Sequence, residues 1–403
     1  MAITLIREPE AFTPVYNDMV FTASSTNVAE PAFLYLVDVY INAVLQFRYK
    51  VEPDPEFDYM VVDVSNSIED FVLNSLCSLT SDKGIFDHSA SSINYEVKFG
   101  EQYEVLGVTT QFPDLTTSTK IAYNGSLTSN EFTDYTGALV ESTFNTNSPR
   151  LLDVRDGDVG CLQLLTNTGT TVTYLQIITI DANGIPIDTY RIDTSIINAE
   201  AYGFASHPAT INNIDPSNFI LPVVPPVQPI IGYNQGVRSY TVFASLSTGA
   251  TEVFRYNVVD DCGLYTPKTL HFLNREGGFD QFTFELVSRD SISTQRKSYK
   301  QNPNRLKSSG AYDYSKADRT NVNYITSTKN SLKLTSDWIT EDESEWLREL
   351  MTSPEIYLFD GTDYIAIQEV KESGYEIKKN ENGEVFNLSI NVLFSADDER
   401  QRY

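Results

Sequence analysis

The chain has 403 residues, 41 % of them hydrophobic and 12 % aromatic, enough for several packed cores and too apolar for a disordered polymer. Its formal charge of −26 argues against a general nucleic-acid binder and against an anionic membrane surface, because both need clustered Lys and Arg. At roughly 150 residues per domain, this length suits two to four domains.

In chain order, the first residues lack the basic and apolar regions of a secretory signal. The most apolar window, 32–47, is broken by Asp38, Asn42 and Gln46, so it is not read as a membrane span, which needs about 20 mostly apolar residues. Gln46-Phe47-Arg48-Tyr49-Lys50-Val51 alternates polar and apolar residues and predicts a strand with one wet face. A helix is read over 67–76. Asn124-Gly125 marks a turn, and Asn145 to Pro149 reads as a break. Asn183-Gly184 predicts a hairpin, since such dipeptides tolerate the positive φ of two-residue turns. Five prolines between 216 and 229 (Pro216, Pro222, Pro225, Pro226 and Pro229) exclude a central strand and read as a stiff connection. Gln281-Phe282-Thr283-Phe284-Glu285-Leu286 predicts another strand. Thr340-Glu341-Asp342-Glu343 is a capping box, and Trp346, Leu347, Leu350 and Met351 follow at helical spacing before Pro354. That predicts a helix over 341–352 lying on a sheet. Hairpins are predicted at Asp360-Gly361 and Asn382-Gly383, and a strand at Asn387-Leu388-Ser389-Ile390-Asn391-Val392.

The expected fold class is therefore mainly β: several β-sandwich or β-barrel domains, with one short helix packed on the C-terminal sheet. The expected domains are 1–148, 149–287 with the proline-rich loop 216–229, and 288–403.

Charge is unevenly spread. Residues 286–333 hold ten Lys and Arg against three acids, a net +7, which leaves −33 on the rest. Two readings stand side by side. The stretch is either a solvated loop that happens to be basic, or it carries a basic arm, 288–333, that docks on the acidic surface of a neighbouring copy. Arg289, Arg296, Lys297, Lys300, Arg305 and Lys307 are the candidate interface residues.

No catalytic motif emerges. The chain has no nucleophile elbow, no P-loop and no Gly-rich dinucleotide fingerprint after a strand. Asn274-Arg275-Glu276-Gly277-Gly278-Phe279-Asp280 reads as a tight turn. His88, His207 and His271 lack zinc spacing, and His271 reads as a hydrogen-bonded strand residue. Cys77, Cys161 and Cys262 form no CxxC pair and are expected as reduced, buried small hydrophobes. The alternating acids Glu52, Asp54, Glu56 and Asp58 would suit calcium, but EF-hand spacing is absent. Asp156-Gly157-Asp158 reads as a turn. The expectation is a non-enzyme with no cofactor and no metal.

The run from His271 to Phe284 (HFLNREGGFDQFTF) resembles a segment in structural tail proteins of phages that infect Bacteroidetes, including crAss-like phages. Ile3-Thr4-Leu5-Ile6 with Pro9, then Phe12-Thr13-Pro14-Val15-Tyr16-Asn17, resembles the start of the same proteins. Residues 331–393 are similar to the strand–helix–strand plan of tail-tube and distal-tail domains. The resemblance implies a virion component assembled in the host cytoplasm. It implies a tail hub or connector that forms a sixfold or twelvefold ring and touches tube, fibre or baseplate proteins. The net charge and the interrupted apolar window lead to the expectation of no specific nucleic-acid binding and no membrane insertion. The alternative is a carbohydrate-binding tail fibre or adhesin protein; a polysaccharide-degrading tail enzyme is a third reading, for which no carboxylate pair stands out.

Overall fold

The computed structural model describes residues 3–79, 82–117, 119–137, 143–166, 170–194, 201–220, 231–260, 264–301, 305–306, 309–313, 316, 319–370, 385–396 and 398–399. The protein is mainly β, with 52 % of the described residues in strands and 12 % in helices. It divides into two compact units. One comprises Met1–Cys262 with Leu273–Gln281, the other Gly263–Phe272 with Phe282–Tyr403.

The first unit opens with two facing sheets. Ile3–Arg7, Val20–Ser25 and Met60–Asp63 form a three-stranded sheet. The second sheet runs Phe12–Pro14, Lys120–Tyr123, Ser92–Val105, Leu34–Ile41, Val44–Val51, with Val108–Thr116 also on Ser92–Val105. One core lies between them, built from Phe21, Ala23 and Met60 on one side and Tyr35, Val37, Val39, Val97 and Phe99 on the other. The alternation of Leu34–Ile41 produces this face directly. Asp38, in the middle of that apolar strand, points to the opposite face. There Arg48, directly across the ladder, meets it with two hydrogen bonds of 2.6 Å. The predicted strand 46–51 is part of Val44–Val51. It joins Leu34–Ile41 through Asn42 and Ala43, both at positive φ (50 and 62), as a two-residue hairpin demands.

The rest of the first unit is a second pair of sheets. The larger is ordered Leu151–Val154, Phe254–Val258, Ser239–Leu246, Val172–Ile180, Pro186–Asp193, Phe219–Ile220, with Gly249–Ala250 on Ser239–Leu246. The smaller is ordered Cys161–Leu165, Ala201–Ala205, Ile85–Asp87. Phe144 packs between them, edge-on to both Phe204 and Phe254. The hairpin at Asn183-Gly184 forms as predicted, with Gly184 at φ +79. Asp181 accepts from the Asn183 and Ile185 amides there, and those bonds hold its carboxyl below the usual range.

The expected boundary near 148 falls inside this unit. Ile85–Asp87 pairs with Tyr202–Phe204, which stitches the early chain into a sheet of the later chain. Sequence alternation identifies strands but not such distant partners. The helix read over 67–76 is also shorter than expected. Ser65–Ile68 and a 3₁₀ turn, Glu69–Phe71, are helical, and Val72 is already extended. No side chain caps the start, and Ile68 and Val72 are buried in the first core. The proline-rich loop lies outside the described residues from 221 to 230; Pro216 starts a 3₁₀ turn, Pro216–Asn218.

The second unit holds an eight-stranded sheet. Its order is Phe279–Phe284, Lys268–Leu273, Ile356–Phe359, Tyr364–Val370, Val385–Phe394, Asn321–Thr340, Arg289–Lys300, with Asp398–Glu399 also on Asn321–Thr340. The capping box at Thr340 and Glu343 closes in both directions. The helix it starts, Glu341–Trp346, is followed at Leu347 by a second turn, Arg348–Thr352. Trp346 packs on Phe272 and Phe282. The Asp360-Gly361 hairpin forms, with Gly361 at φ +98. The Asn382-Gly383 hairpin lies outside the described residues.

Candidate assembly interface

Among its described residues, the basic segment forms a long antiparallel hairpin ladder. Arg289–Lys300 pairs with Asn321–Lys333 through twelve cross-strand positions, from Arg289 opposite Lys333 to Lys300 opposite Asn321, with a bulge between Lys297 and Ser298. At about 3.3 Å per residue the ladder is roughly 40 Å long. Only its base belongs to a wider sheet, because Val385–Phe394 pairs with residues from Ser331 to Thr340 and Asp398–Glu399 with Ser327 and Thr328. From Gln295 to Lys300 and from Asn321 to Thr326, the two strands pair only with each other among the described residues.

Every residue of Arg289–Lys300 is exposed. A free two-stranded ribbon of this kind has almost no core of its own. Its aromatic contact is Tyr299 against Tyr324, with ring centroids 6.2 Å apart. Ile292, Tyr299 and Tyr324 present apolar surface at 70, 48 and 44 % exposure. Charge follows the same pattern. Arg289 and Lys333 stand directly opposite each other, a like-charge pair that destabilises a ladder. Among the described residues, neither they nor Arg296, Lys297 and Lys300 form an ion pair. These five side chains thus carry their positive charge without an ion-pair partner among the described residues. The backbone at Arg305 pairs with Asp313 in a small further ladder, and Lys307 lies outside the described residues.

An open groove of about 700 Å³ lies at the hairpin's base, with Ile292, Ile365, Ala366 and Phe394 along it and Asp290 and Asn330 at its polar side. In the first unit, the loop holding Glu52, Glu56 and Asp58 exposes those acids beside Phe57 and Tyr59, whose rings stack at 6.4 Å. Asp54 of that loop accepts from the Glu56 and Phe57 amides, so it shapes a turn. These acids form no convergent ligand set among the described residues. Asp156-Gly157-Asp158 is a turn as well, closed by Asp158 N–H to the Arg155 carbonyl.

The expectation of reduced, separate cysteines is overturned. Cys77 and Cys161 form a disulfide with Cα atoms 6.6 Å apart, across 84 residues of sequence. His88 joins them, its Nε2 3.3 Å from Cys77 Sγ. All three residues are buried. The small sheet brings them together. Cys161 lies on its first strand, and His88 follows its third, with its N–H donating to the Ala201 carbonyl. Gly203, on the strand between, makes the room, for a Cβ there would collide with His88 Nε2. Burial pushes the His88 pKa down to about 4, against the pull of Asp87 and the Ser75 backbone. No sequence spacing signals this cluster, because Cys77 and His88 stand eleven residues apart and Cys161 joins them from 84 residues beyond Cys77. Cys262 lies outside the described residues.

His207 is buried against the Tyr256 ring, with Nδ1 2.9 Å from Ser206 Oγ, and burial lowers its pKa to about 3. His271 lies on the strand Lys268–Leu273, as predicted, and is buried there, meeting Phe359 and Tyr364 edge-on. The 274–280 turn also forms, with Gly277 at φ +84 and the Asn274 N–H donating to the Gly278 carbonyl.

Among the described residues, no helix is long and apolar enough to cross a membrane. No protein-family model matches this chain, and no curated protein is significantly similar to it.

Proposed function

We propose that this protein is a structural component of a bacteriophage tail, a hub or connector that forms a ring by joining identical subunits head to tail. The observation that carries the reading is the exposed basic hairpin built on Arg289–Lys300. A two-stranded ribbon with open edges, exposed Ile292, Tyr299 and Tyr324 and uncompensated Arg and Lys gains stability when another surface covers it. The rest of the chain is strongly acidic and supplies that surface in a second copy. The Glu52–Asp58 loop, with its exposed acids and stacked Phe57 and Tyr59, has the matching charge and apolar character. An arm on one face that fits a different face of its neighbour is a heterologous contact, and such contacts form a ring when the rotation between copies closes. The resemblance of the His271–Phe284 run to phage tail proteins agrees with this geometry.

The test is the mass of the purified chain by light scattering, followed by negative-stain imaging. A closed ring of several copies is expected, and deleting residues 291–330 should leave folded monomers. Rings that persist without the hairpin would overturn its role. A second reading, a glycan-binding tail fibre protein, draws on Trp338, which is 69 % exposed on the sheet. It predicts a compact trimer and glycan binding that is lost in Trp338→Ala.

A further inference from the structure

We propose that Cys77, Cys161 and His88 form a metal site that alternates with the disulfide, binding a thiophilic divalent cation of the zinc class when the two sulfurs are reduced. Three observations carry this.

The first is the donor set. One sulfur, a second sulfur and an imidazole nitrogen lie within 4.8 Å of one another, and no other group of three possible ligands converges among the described residues. Tetrahedral zinc, at about 2.3 Å from sulfur and 2.0–2.1 Å from nitrogen, requires donors roughly 3.5–3.8 Å apart. His88 Nε2 and Cys77 Sγ are already 3.3 Å apart. Opening the disulfide and separating its sulfurs supplies the remaining distance.

The second is the imidazole itself. A purely structural disulfide needs no partner. Here a ring that is costly to bury has its nitrogen against the sulfur, in space that exists because residue 203 is glycine.

The third is charge. Two thiolates, a neutral imidazole and a dication sum to zero, so the loaded site is compatible with complete burial. Two thiolates alone would not be. Three protein ligands leave a fourth position for water, as in other three-residue zinc sites.

The exchange balances. An external dithiol attacks one sulfur of the Cys77–Cys161 bond, the S–S bond breaks, and a second exchange releases the external reagent as its own disulfide. Two protein thiols result. Binding the cation then forms two metal–sulfur bonds and one metal–nitrogen bond and releases two protons.

To test this, the full chain is reduced with a dithiol under argon, desalted and titrated with Co²⁺. The expected result is one Co²⁺ per chain, with a thiolate-to-cobalt charge-transfer band and tetrahedral visible bands that Zn²⁺ abolishes. His88→Gln should weaken Co²⁺ binding at least about tenfold, since even the supporting partners of metal ligands are worth that much. Gly203→Ala, which displaces the same ring and leaves both cysteines, should do likewise. Circular dichroism verifies the fold of each sample. A reduced, folded parent chain with no charge-transfer band would overturn the proposal. So would a disulfide that yields only when the chain unfolds, or His88→Gln binding as tightly as the parent. The titration of the parent decides the question even if a variant does not fold.

Discussion

Gly184 and Gly277 hold nearly the same left-handed backbone, at φ +79 and +84, in opposite surroundings. A Cβ on Gly184 would meet open space, whereas one on Gly277 would run into the Asn124 carbonyl. Gly184→Ala should therefore cost only the left-handed penalty, about 1–2 kcal/mol. Gly277→Ala adds overpacking of about 1–3 kcal/mol in an interior that cannot yield. Urea unfolding of the two variants measures the difference, and equal losses would contradict it. His207 sets a pH dependence. Its folded pKa is near 3, while the unfolded chain titrates near the ordinary 6.5. Above pH 6.5 both states carry a neutral ring and the group contributes no slope. As pH falls below 6.5 the unfolded state takes up a proton that the folded state refuses. Stability then drops by at most about 1.4 kcal/mol per pH unit until the folded pKa is reached. His88, which burial lowers to about 4, adds a slope of the same sign, so urea midpoints from pH 7 to pH 5 should fall with both groups, and His207→Gln should remove only its own share of the slope. At this scale, conformational demands were legible where chemistry announces them. Asn183-Gly184 and Asp360-Gly361 are turns in the sequence and in the fold. Asn42-Ala43 makes a tighter, two-residue turn that its sequence does not announce, since alanine seldom takes positive φ and the pairing of Leu34–Ile41 with Val44–Val51 imposes it.

The helix at Glu341–Trp346 shows how local signals and packing divide the work. Thr340 and Glu343 satisfy each other's backbone donors, and Trp346 buries its ring on Phe272 and Phe282. Thr340→Ala should cost about 0.5–2 kcal/mol, the worth of a lost cap. Trp346→Ala should cost about 3–5 kcal/mol, as for large core truncations. Thermal unfolding distinguishes them. This helix was legible because both its cap and its apolar spacing lie within a dozen residues. Its break at Leu347 was not, since no residue between Thr340 and Pro354 marks it. The segment 67–76 had helical spacing without a cap, and the first core claimed Val72 as extended chain. The Cys77–Cys161 disulfide operates between elements. It closes a loop of 84 residues, for which chain-entropy estimates give about 4–5 kcal/mol. Cys77→Ser should lower the stability of the oxidised protein by that order, and of the reduced protein by far less. Denaturant titration with and without reductant verifies this.

For the whole molecule, the sequence conveyed the β class and the basic segment, because alternation and charge are properties of the chain itself. The pairings that merge 1–148 with 149–262 were not legible, since Ile85–Asp87 and Ala201–Ala205 carry nothing in their sequences that names the other. The hairpin arm makes a prediction at this scale. Arg296, Lys297 and Lys300 changed together to Glu should leave the monomer's stability within about 0.5 kcal/mol, because exposed side chains contribute little to folding. Assembly should fail, and reversing Glu52 and Glu56 to Lys should restore part of it. Light scattering of the three proteins reads this directly, and unchanged assembly in the first would remove the arm from the mechanism.

The turn at Leu273–Gln281 belongs to the first unit although it follows Cys262 in the chain. Its groups complete earlier parts of that unit. Ser126 N–H donates to the Arg275 carbonyl, Asn145 to the Glu276 carbonyl, and Asn274 back to the Asn145 carbonyl. A ribosome delivers the chain from its N-terminus, so these partners reach the nascent first unit only after the opening of the second has been made. Until residue 281 emerges, Asn145 and Ser126 must wait on water. The order of synthesis thus couples completion of the first unit to the start of the second, and premature termination near residue 262 would release an unfinished body rather than a free-standing one.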